Sequence, residues 1–304
     1  CSVLRQECLD ITEVQFWHQP PGADAPFETR RTTDGNPVEI RTLVHNKALS
    51  PLDAELHIIE DEGGHALLPN PVIFEFPGNQ TVTLRHPWNT TGFAWEERLG
   101  ESTPQAGRSV RVELIDRAMR STPLIDRVET DVTVKPRPVV LVHGLWSDHA
   151  TWTPFKGFLT NARPDWVNGA VGDEAYPGVM DTGISPIEMF ADIGTLLSEG
   201  PFRLSRISTT TTIEDNAEQL RRYVEGIRED EEAAHVDLVA HSMGGLIARH
   251  YIQRLMPFAP GDDLEPVVSH LVMLGTPNLG SPCADAWLWV LSLPRKLITR
   301  QIGR

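Results

Sequence analysis

The sequence predicts an α/β protein in which an N-terminal antiparallel β-sandwich is followed by a domain with a mainly parallel sheet. Runs that alternate apolar and polar residues extend from Val38 to Val134, within a first domain of residues 1–134. A proline-rich connector follows at residues 135–138. In residues 139–304, continuous apolar strands alternate with helical stretches, which is typical of a parallel sheet with helices on its faces.

In the first domain, apolar residues recur at every second position, which places one face of each strand in a core and the other in water. Turn signals such as Asp34-Gly35 and Pro77-Gly78 separate the runs. About seven strands at this spacing are typical of an immunoglobulin-like sandwich. The runs are Val38–Val44, Ala54–Ile59, Thr81–Leu84, Val110–Leu114 and Val128–Val134.

The second domain begins after Lys135-Pro-Arg-Pro138, where two prolines favour an extended connector. Val139–Val142 is continuously apolar, as expected for a strand buried on both faces. A capping box at Thr211–Glu214 predicts the start of a helix. The apolar face of this helix would consist of Ile213, Ala217, Leu220, Val224 and Ile227. The elements predicted after it are strand His235–Ala240, helix Met243–Leu255 and strand His270–Leu274.

The composition excludes several functional classes. The chain has 304 residues and a net charge of −15, which argues against a nucleic-acid partner because phosphate binding needs clustered Lys and Arg. No apolar run approaches the roughly 18 residues of a membrane span, and the best run, Trp287–Leu293, is much shorter. The acidic surplus indicates a solvated, self-repelling surface, and adaptation to high salt is the alternative.

The three cysteines, Cys1, Cys8 and Cys283, are too few to form a disulfide framework. Cys1 and Cys8 could close a small loop. A chain that begins with Cys rather than Met has been processed or cut, and a lipid-anchored envelope protein also begins with Cys. We therefore expect an exported protein, either extracellular or in the cell envelope.

Two strand ends carry the residues on which a functional prediction depends. Val139–Val142 leads into His143-Gly144-Leu145, where the glycine permits a sharp turn and the following amides could face a substrate oxygen. The second strand leads into Ala240-His241-Ser242-Met243-Gly244 and then into a helix, which is the setting that a nucleophile elbow requires. The serine would lie in a strained turn with its hydroxyl lifted from the sheet. The small residues on either side would let strand and helix pass closely.

These motifs resemble those of the α/β-hydrolases, in particular bacterial lipases and esterases. The usual elbow is Gly-x-Ser-x-Gly, and the Ala240 of this chain matches a variant found in some bacterial lipases. The His143-Gly144 pair matches the family's oxyanion loop, and Leu274–Pro282 resembles the strand and loop after the elbow helix. The resemblance covers residues 138–285 and implies that residues 139–304 are the N-terminal portion of an α/β-hydrolase domain.

The resemblance also implies a role for each matching residue. Ser242 would be the nucleophile, and the amides of Leu145 and Met243 would form the oxyanion hole. His143 and His241 would be structural, with Gly144 in the oxyanion loop. No cofactor or metal is implied.

The base and the acid that this family requires are not found after the serine. They should be an Asp or Glu and then a His, placed after two further strands. The later histidines are His250, on the elbow helix, and His270, at the start of the next strand. The later aspartates, none of which follows a further strand, are Asp262, Asp263 and Asp285. The sequence therefore predicts the N-terminal part of a longer enzyme, or a piece whose second half is separate, and a chain that is inactive alone.

Each of three other clusters allows a functional interpretation and a simpler structural interpretation. Asp148-His149, near Trp146 and Trp152, could bind a metal or substrate, but a loop lining the cleft is favoured. Glu229–Glu232 could bind calcium, but a solvated charge run at a helix end is favoured because the spacing of a calcium loop is absent. Three aromatic residues could bind a sugar, although packing is favoured: Trp88, Phe93 and Trp95.

The predicted function is that of a serine carboxylic-ester hydrolase acting through an acyl-enzyme on Ser242. Apolar residues near the site (Leu145, Trp146, Met243) and the Trp287–Leu293 stretch suggest an apolar or acyl ester substrate, and Trp287–Ile302 is predicted to form an apolar helix or lid. The other expected partner is the remaining C-terminal part of the hydrolase domain. Two alternatives stay open: a non-catalytic binding module that keeps the fold, and an acyltransferase that uses an acceptor other than water.

Overall fold

A computed structural model of the chain describes nine ranges of residues, which hold fourteen strands and three α-helices. The ranges are 8–61, 64–68, 72–95, 107–116, 124–144, 152–162, 178–180, 212–256 and 266–282.

Ten of the strands form two packed sheets, and their pairings are antiparallel apart from the one between β3 and β10. They are β1 (Leu9–His18), β2 (Phe27–Glu28), β3 (Arg31–Thr33), β4 (Pro37–Asn46), β5 (Leu52–Glu60), β6 (His65–Ala66), β7 (Val72–Phe76), β8 (Gln80–Asn89), β9 (Gly107–Ile115) and β10 (Leu124–Lys135). One sheet has the order β2-β1-β4-β8, and the other has the order β3-β10-β9-β5-β6 with β7 beside β5.

The core between these sheets follows from the alternation in the sequence. Along β4, every second residue is buried, including Val38, Ile40 and Val44, and the alternate residues are more exposed. Trp88 is only 4% exposed, and its ring packs against the rings of Phe16 and Phe93, with centroids 6.0 Å and 5.3 Å away. Trp88 is therefore a core residue rather than part of a sugar-binding face.

The remaining four strands form a small parallel sheet of order β12-β11-β13-β14. They are β11 (Val139–Val142), β12 (Gly178–Met180), β13 (Val236–His241) and β14 (Val268–Leu274). All four residues of β11 are buried, as a strand covered on both faces requires.

Three helices accompany this sheet: α1 (Thr153–Ala162), α2 (Ile213–Asp230) and α3 (Met243–His250), with a π-helical turn at Tyr251–Leu255 after α3. Residues of α2 and α3 share a core with Val140, Leu238 and Ala240. Trp152, just before α1, packs instead with Leu141 and Val239. Strands β11 and β13 are therefore covered on both sides, by α2 and α3 on one side and by Trp152 and α1 on the other.

The predicted α/β class is nevertheless wrong. The described residues are mostly β, with 49% in strands and 23% in helices, and most of the sheet structure is antiparallel. The four short parallel strands do not amount to the large helix-flanked sheet of an α/β-hydrolase. The prediction gave the second half of the sequence the deciding weight, whereas the alternating first half supplies ten of the fourteen described strands.

The start of α2 differs from the prediction by one residue. Thr212, rather than Thr211, is the N-cap, and its hydroxyl accepts a hydrogen bond from the Asp215 amide at 3.1 Å. The Asp215 carboxylate accepts one from the Thr212 amide at 3.0 Å, which lowers the pKa of Asp215. The predicted apolar face is right, since Ala217, Leu220, Val224 and Ile227 are buried.

No helix in the described residues is long and apolar enough to cross a membrane. Cys8 is buried, whereas Cys1, Cys283 and the Trp287–Leu293 stretch lie outside the described residues.

Candidate active site

Ser242 occupies a strained turn between strand β13 and helix α3. Its backbone has φ 53° and ψ −124°, and only two other non-glycine residues in the described ranges have positive φ. Such a conformation costs about 1–3 kcal/mol and persists only where the surroundings impose it. Two backbone hydrogen bonds hold the turn: the Ser242 amide donates to the Leu274 carbonyl at 2.8 Å, and the Gly245 amide donates to the Ser242 carbonyl at 3.1 Å.

Glycine is required on the α3 side because the helix begins against the end of β11. A Cβ atom on Gly244 would lie 2.5 Å from the Val142 carbonyl oxygen and 2.6 Å from that of His143. These are backbone atoms, so any larger residue would push the helix away from the strand. Ala240, two residues before the serine, is fully buried. The predicted small residues at 240 and 244 therefore have a steric cause.

Sequence reasoning missed a second tight contact in the first turn of α3. A Cβ on Gly245 would lie 2.0 Å from the Oγ1 atom of Thr276 and 2.9 Å from its Cβ. Thr276 belongs to the loop after β14. The adjacent glycines Gly244-Gly245 were a readable signal for a helix start pressed between two loops.

The end of β11 lies beside the serine. A Cβ on Gly144 would be 2.7 Å from the Ser242 Cβ and 3.2 Å from the Met243 amide nitrogen. Met243 is the first residue of α3, and amides in the first turn of a helix have no acceptor within the helix. Leu145, the predicted source of the second oxyanion donor, lies outside the described residues.

The two histidines next to these motifs occupy different environments. His143 is 1% exposed, and its Nδ1 atom lies 3.0 Å from the Gly144 carbonyl oxygen. Because a carbonyl only accepts, this contact requires a proton on Nδ1 and turns the ring onto its own loop. His241 is exposed at the end of β13. Their structural roles stay predictions.

The two later histidines do not serve Ser242. His250 ends α3, about 12 Å along the helix axis at 1.5 Å per residue. His270 pairs in register with Asp237, and its Nδ1 atom lies 2.9 Å from the Asp237 Oδ1 atom. Asp237 precedes Ser242 by five residues of β13, or about 16 Å of strand. This histidine–aspartate pair therefore lies at the opposite end of the strand.

Several predicted candidates fall outside the described residues, namely Trp146, Asp148, His149, Asp262, Asp263 and Asp285. Among the residues that are described, no cluster of three or more His, Cys, Asp or Glu side chains could hold a metal ion. The Glu229–Glu232 run is not simply solvated: Glu231 is buried, and its carboxylate binds the Lys135 ammonium group at 2.9 Å.

Comparisons with known proteins give little further information. Residues 206–297, which include Ser242, match a family model described as a domain of unknown function (DUF7379). No curated protein matches the chain.

Similar solved structures include the CARDB domain of a Pyrococcus furiosus protein in complex with di-metal ions. It is 12% identical with a TM-score of 0.28, and the match covers 43% of this chain and 97% of that one. A Niemann-Pick type C2 protein from the Japanese carpenter ant is 9% identical with a TM-score of 0.25, covering 42% and 93%. Likenesses this weak carry no argument about function. What the chain does has to be inferred from the turn at Ser242 itself.

Proposed function

We propose that this chain carries the nucleophile of a serine carboxylic-ester hydrolase, and that Ser242 forms the acyl-enzyme. The observation that carries the proposal is the strained turn of Ser242, which Gly144, Gly244 and Gly245 make sterically possible. A helix packs as well without a positive φ at its N-cap, so the strain at Ser242 is a cost without a structural benefit. The proposal rests on this local geometry and not on the fold class.

In the first half of the reaction, a base removes the Ser242 proton as the oxygen attacks the ester carbonyl. The negative charge that develops on the carbonyl oxygen is stabilised by the Met243 amide and by the positive end of the α3 dipole. The Leu145 amide, one residue beyond Gly144, would be the second donor. The alcohol leaves with the proton, and water then attacks the acyl-enzyme in the reverse sequence.

The surroundings of the turn favour an apolar ester. Leu274, whose carbonyl accepts a hydrogen bond from the Ser242 amide, is exposed at 43%, and Val272, on the same face of β14, is exposed at 48%. Exposed apolar side chains on the strand that holds the serine suit an acyl chain better than a charged substrate.

The base has two sources left. Ten of the eleven histidines are described, and those that follow the serine lie away from it. His149 of this chain is the eleventh, and the other source is a polypeptide segment outside these 304 residues. If the second source is correct, the chain alone is inactive.

The test is labelling of the natural gene product with a fluorophosphonate, followed by mass spectrometry of the adduct. We expect the label on Ser242, no label on Ser242→Ala, and normal labelling of Ser50→Ala, an exposed serine in a sandwich turn. His149→Ala separates the two sources of the base, since labelling survives only if the base comes from elsewhere. Equal labelling of the wild type and Ser242→Ala would contradict the proposal.

A further inference from the structure

A turn of the sandwich is inserted into the edge of the serine-bearing part of the chain. Residues 34–36 connect β3 to β4, and the side chains of Asp34 and Asn36 are fully buried there. The turn meets the loop after α2 and the connector between β10 and β11. A Cβ on Gly35, which has φ 89°, would lie 3.1 Å from the His235 ring. A side chain at this position would be strained by the positive φ and would require the His235 ring to shift by a few tenths of an ångström.

Asn36 binds the loop after α2 through both ends of its amide. Its Nδ2 atom donates to the Glu232 carbonyl at 2.7 Å, and its Oδ1 atom accepts from the Ala234 amide at 2.7 Å. The Thr33 hydroxyl donates to the Glu231 carbonyl at 3.0 Å, and Lys135 pairs with the Glu231 carboxylate. Each bond joins residues about 100 or 200 positions apart in sequence.

The connector itself is bonded on both sides. The Lys135 carbonyl accepts from the Asp34 amide at 2.7 Å, and the Pro138 carbonyl accepts from the Asp237 amide at 2.9 Å. The Arg137 guanidinium donates to the Asp34 carboxylate at 2.9 Å and 3.1 Å, and it lies 3.7 Å from the Asp237 carboxylate. The second oxygen of Asp34 accepts from the Gly92 and Ala94 amides. Arg137 therefore bridges the sandwich and β13.

Domains joined by a short connector are expected to move relative to each other unless their interface is large and hydrophobic. This interface is small and polar, but its groups are buried and bonded. Rotation about the connector would leave a buried carboxylate, a guanidinium and an amide without partners, each at a high cost.

We infer that the sandwich and the serine-bearing sheet form one fixed unit, joined by the buried contacts of Thr33, Asp34, Asn36 and Arg137. The connector is not a hinge. The sandwich is a structural part of the unit that carries Ser242 rather than a binding module on a tether. This inference does not depend on the chemistry of Ser242.

The test is denaturant-dependent hydrogen exchange of the purified chain, read at amides of β4, of β13 and at Ala234. Asn36→Ala removes the joint contacts to Glu232 and Ala234 and leaves those of Thr33 and Arg137 in place. Asn46→Ala is the matched control, because Asn46 is also fully buried and makes three comparable hydrogen bonds, to Ser50, Phe76 and Ala48, all inside the sandwich. Thr33→Val, which removes one hydroxyl with little change of shape, gives a milder version of the test.

In the wild type, we expect β4 and β13 to open in a single step. Asn46→Ala should lower the protection of the β4 and β13 amides equally, because in one fixed unit a loss of stability in the sandwich also destabilises the parallel sheet. Asn36→Ala should accelerate exchange of the Ala234 amide by about ten-fold or more and separate the openings of β4 and β13. Independent opening in the wild type, an effect of Asn46→Ala confined to β4, or unchanged exchange at Ala234 in both joint variants would overturn the inference.

Discussion

The two ends of strand β13 use polar groups in opposite ways. At its start, the Asp237 carboxylate lies 3.7 Å from the Arg137 guanidinium and 2.9 Å from the His270 ring. At its end, Ser242 is held at positive φ, and its hydroxyl makes no capping bond to the helix that it begins. One strand of six residues thus has one end that contacts the connector to the sandwich and another end at which the Ser242 hydroxyl makes no bond to the helix.

The two ends of β13 show how a polar group that stabilises the structure differs from one suited to bind a substrate. A polar group whose bonding capacity is taken up by its neighbours stabilises one arrangement and has none left for a ligand. A strained serine with nearby amide donors has that capacity. Variants that change one end of β13 at a time show whether the two ends are independent.

The largest effect is expected at the start of the strand, from Arg137→Met. Asp34 would keep a carboxylate that is 0% exposed with no cation beside it. Loss of one partner of a buried ion pair costs about 3–5 kcal/mol. The control is Lys47→Met, which breaks the pair with Asp10, where both side chains are nearly half exposed and the expected cost is about 0–1 kcal/mol.

Urea unfolding measures both Arg137→Met and Lys47→Met. Equal losses from the two variants would show that the joint is no tighter than a surface contact.

The joint also shows what the sequence could not reveal. Asp34, Arg137 and Asp237 are each about 100 residues apart, and no local pattern predicts that they meet. The sequence predicted that Glu231 is part of a solvated charge run, but a buried turn of the sandwich covers this residue. Long-range polar contacts depend on how the two parts pack, which alternation and helical periodicity do not encode.

The turn at Ser242 was predictable because its causes are local. A strand, a serine between small residues and a helix start are contiguous in the sequence, and the approach of Gly144 was implied by a matching motif. The N-cap of α2 was misplaced by one residue because Thr211 and Thr212 are both good caps, with Glu214 and Asp215 as equivalent partners. The fold class was wrong because the local motif was allowed to represent the whole chain.

An intermediate effect is expected at the end of the strand, from Gly244→Ala. The added methyl group would meet the Val142 and His143 carbonyl oxygens at 2.5 Å and 2.6 Å, so α3 has to move from β11. We expect a loss of about 1–3 kcal/mol in unfolding free energy, as for other overpacked sites. Fluorophosphonate labelling of Ser242 should also fall, because the Met243 amide moves with the helix.

The control for Gly244→Ala is Gly226→Ala in α2, where a methyl group meets no atom within 4 Å. It should stabilise the chain by about 0.5–1 kcal/mol, since glycine is a poor helix former. If both variants had the same effect, the crowding at Gly244 would not be what shapes the turn.

The smallest effect is a pH dependence that should act on the sandwich and the joint but not on the turn. Burial lowers the pKa of His18 and of His86 from 6.5, although Glu232 opposes the shift at His18. His18 packs near the joint, where its Nε2 atom lies 3.4 Å from the Asn36 amide nitrogen. Because a protonated His18 ring would place two donors face to face, the folded joint favours the neutral ring.

The unfolded chain binds protons at these histidines near pH 6.5, whereas the folded chain binds them only at lower pH. The free energy of unfolding should therefore fall as the pH decreases below about 6.5, by at most about 1.4 kcal/mol per pH unit for each histidine. His86→Phe, whose ring would still pack on Phe74, should reduce this slope without changing exchange at Ala234. If His86→Phe removed the whole slope, His18 at the joint would contribute nothing to the pH dependence of stability. The joint at the start of β13 would then be as insensitive to acid as the turn at its end.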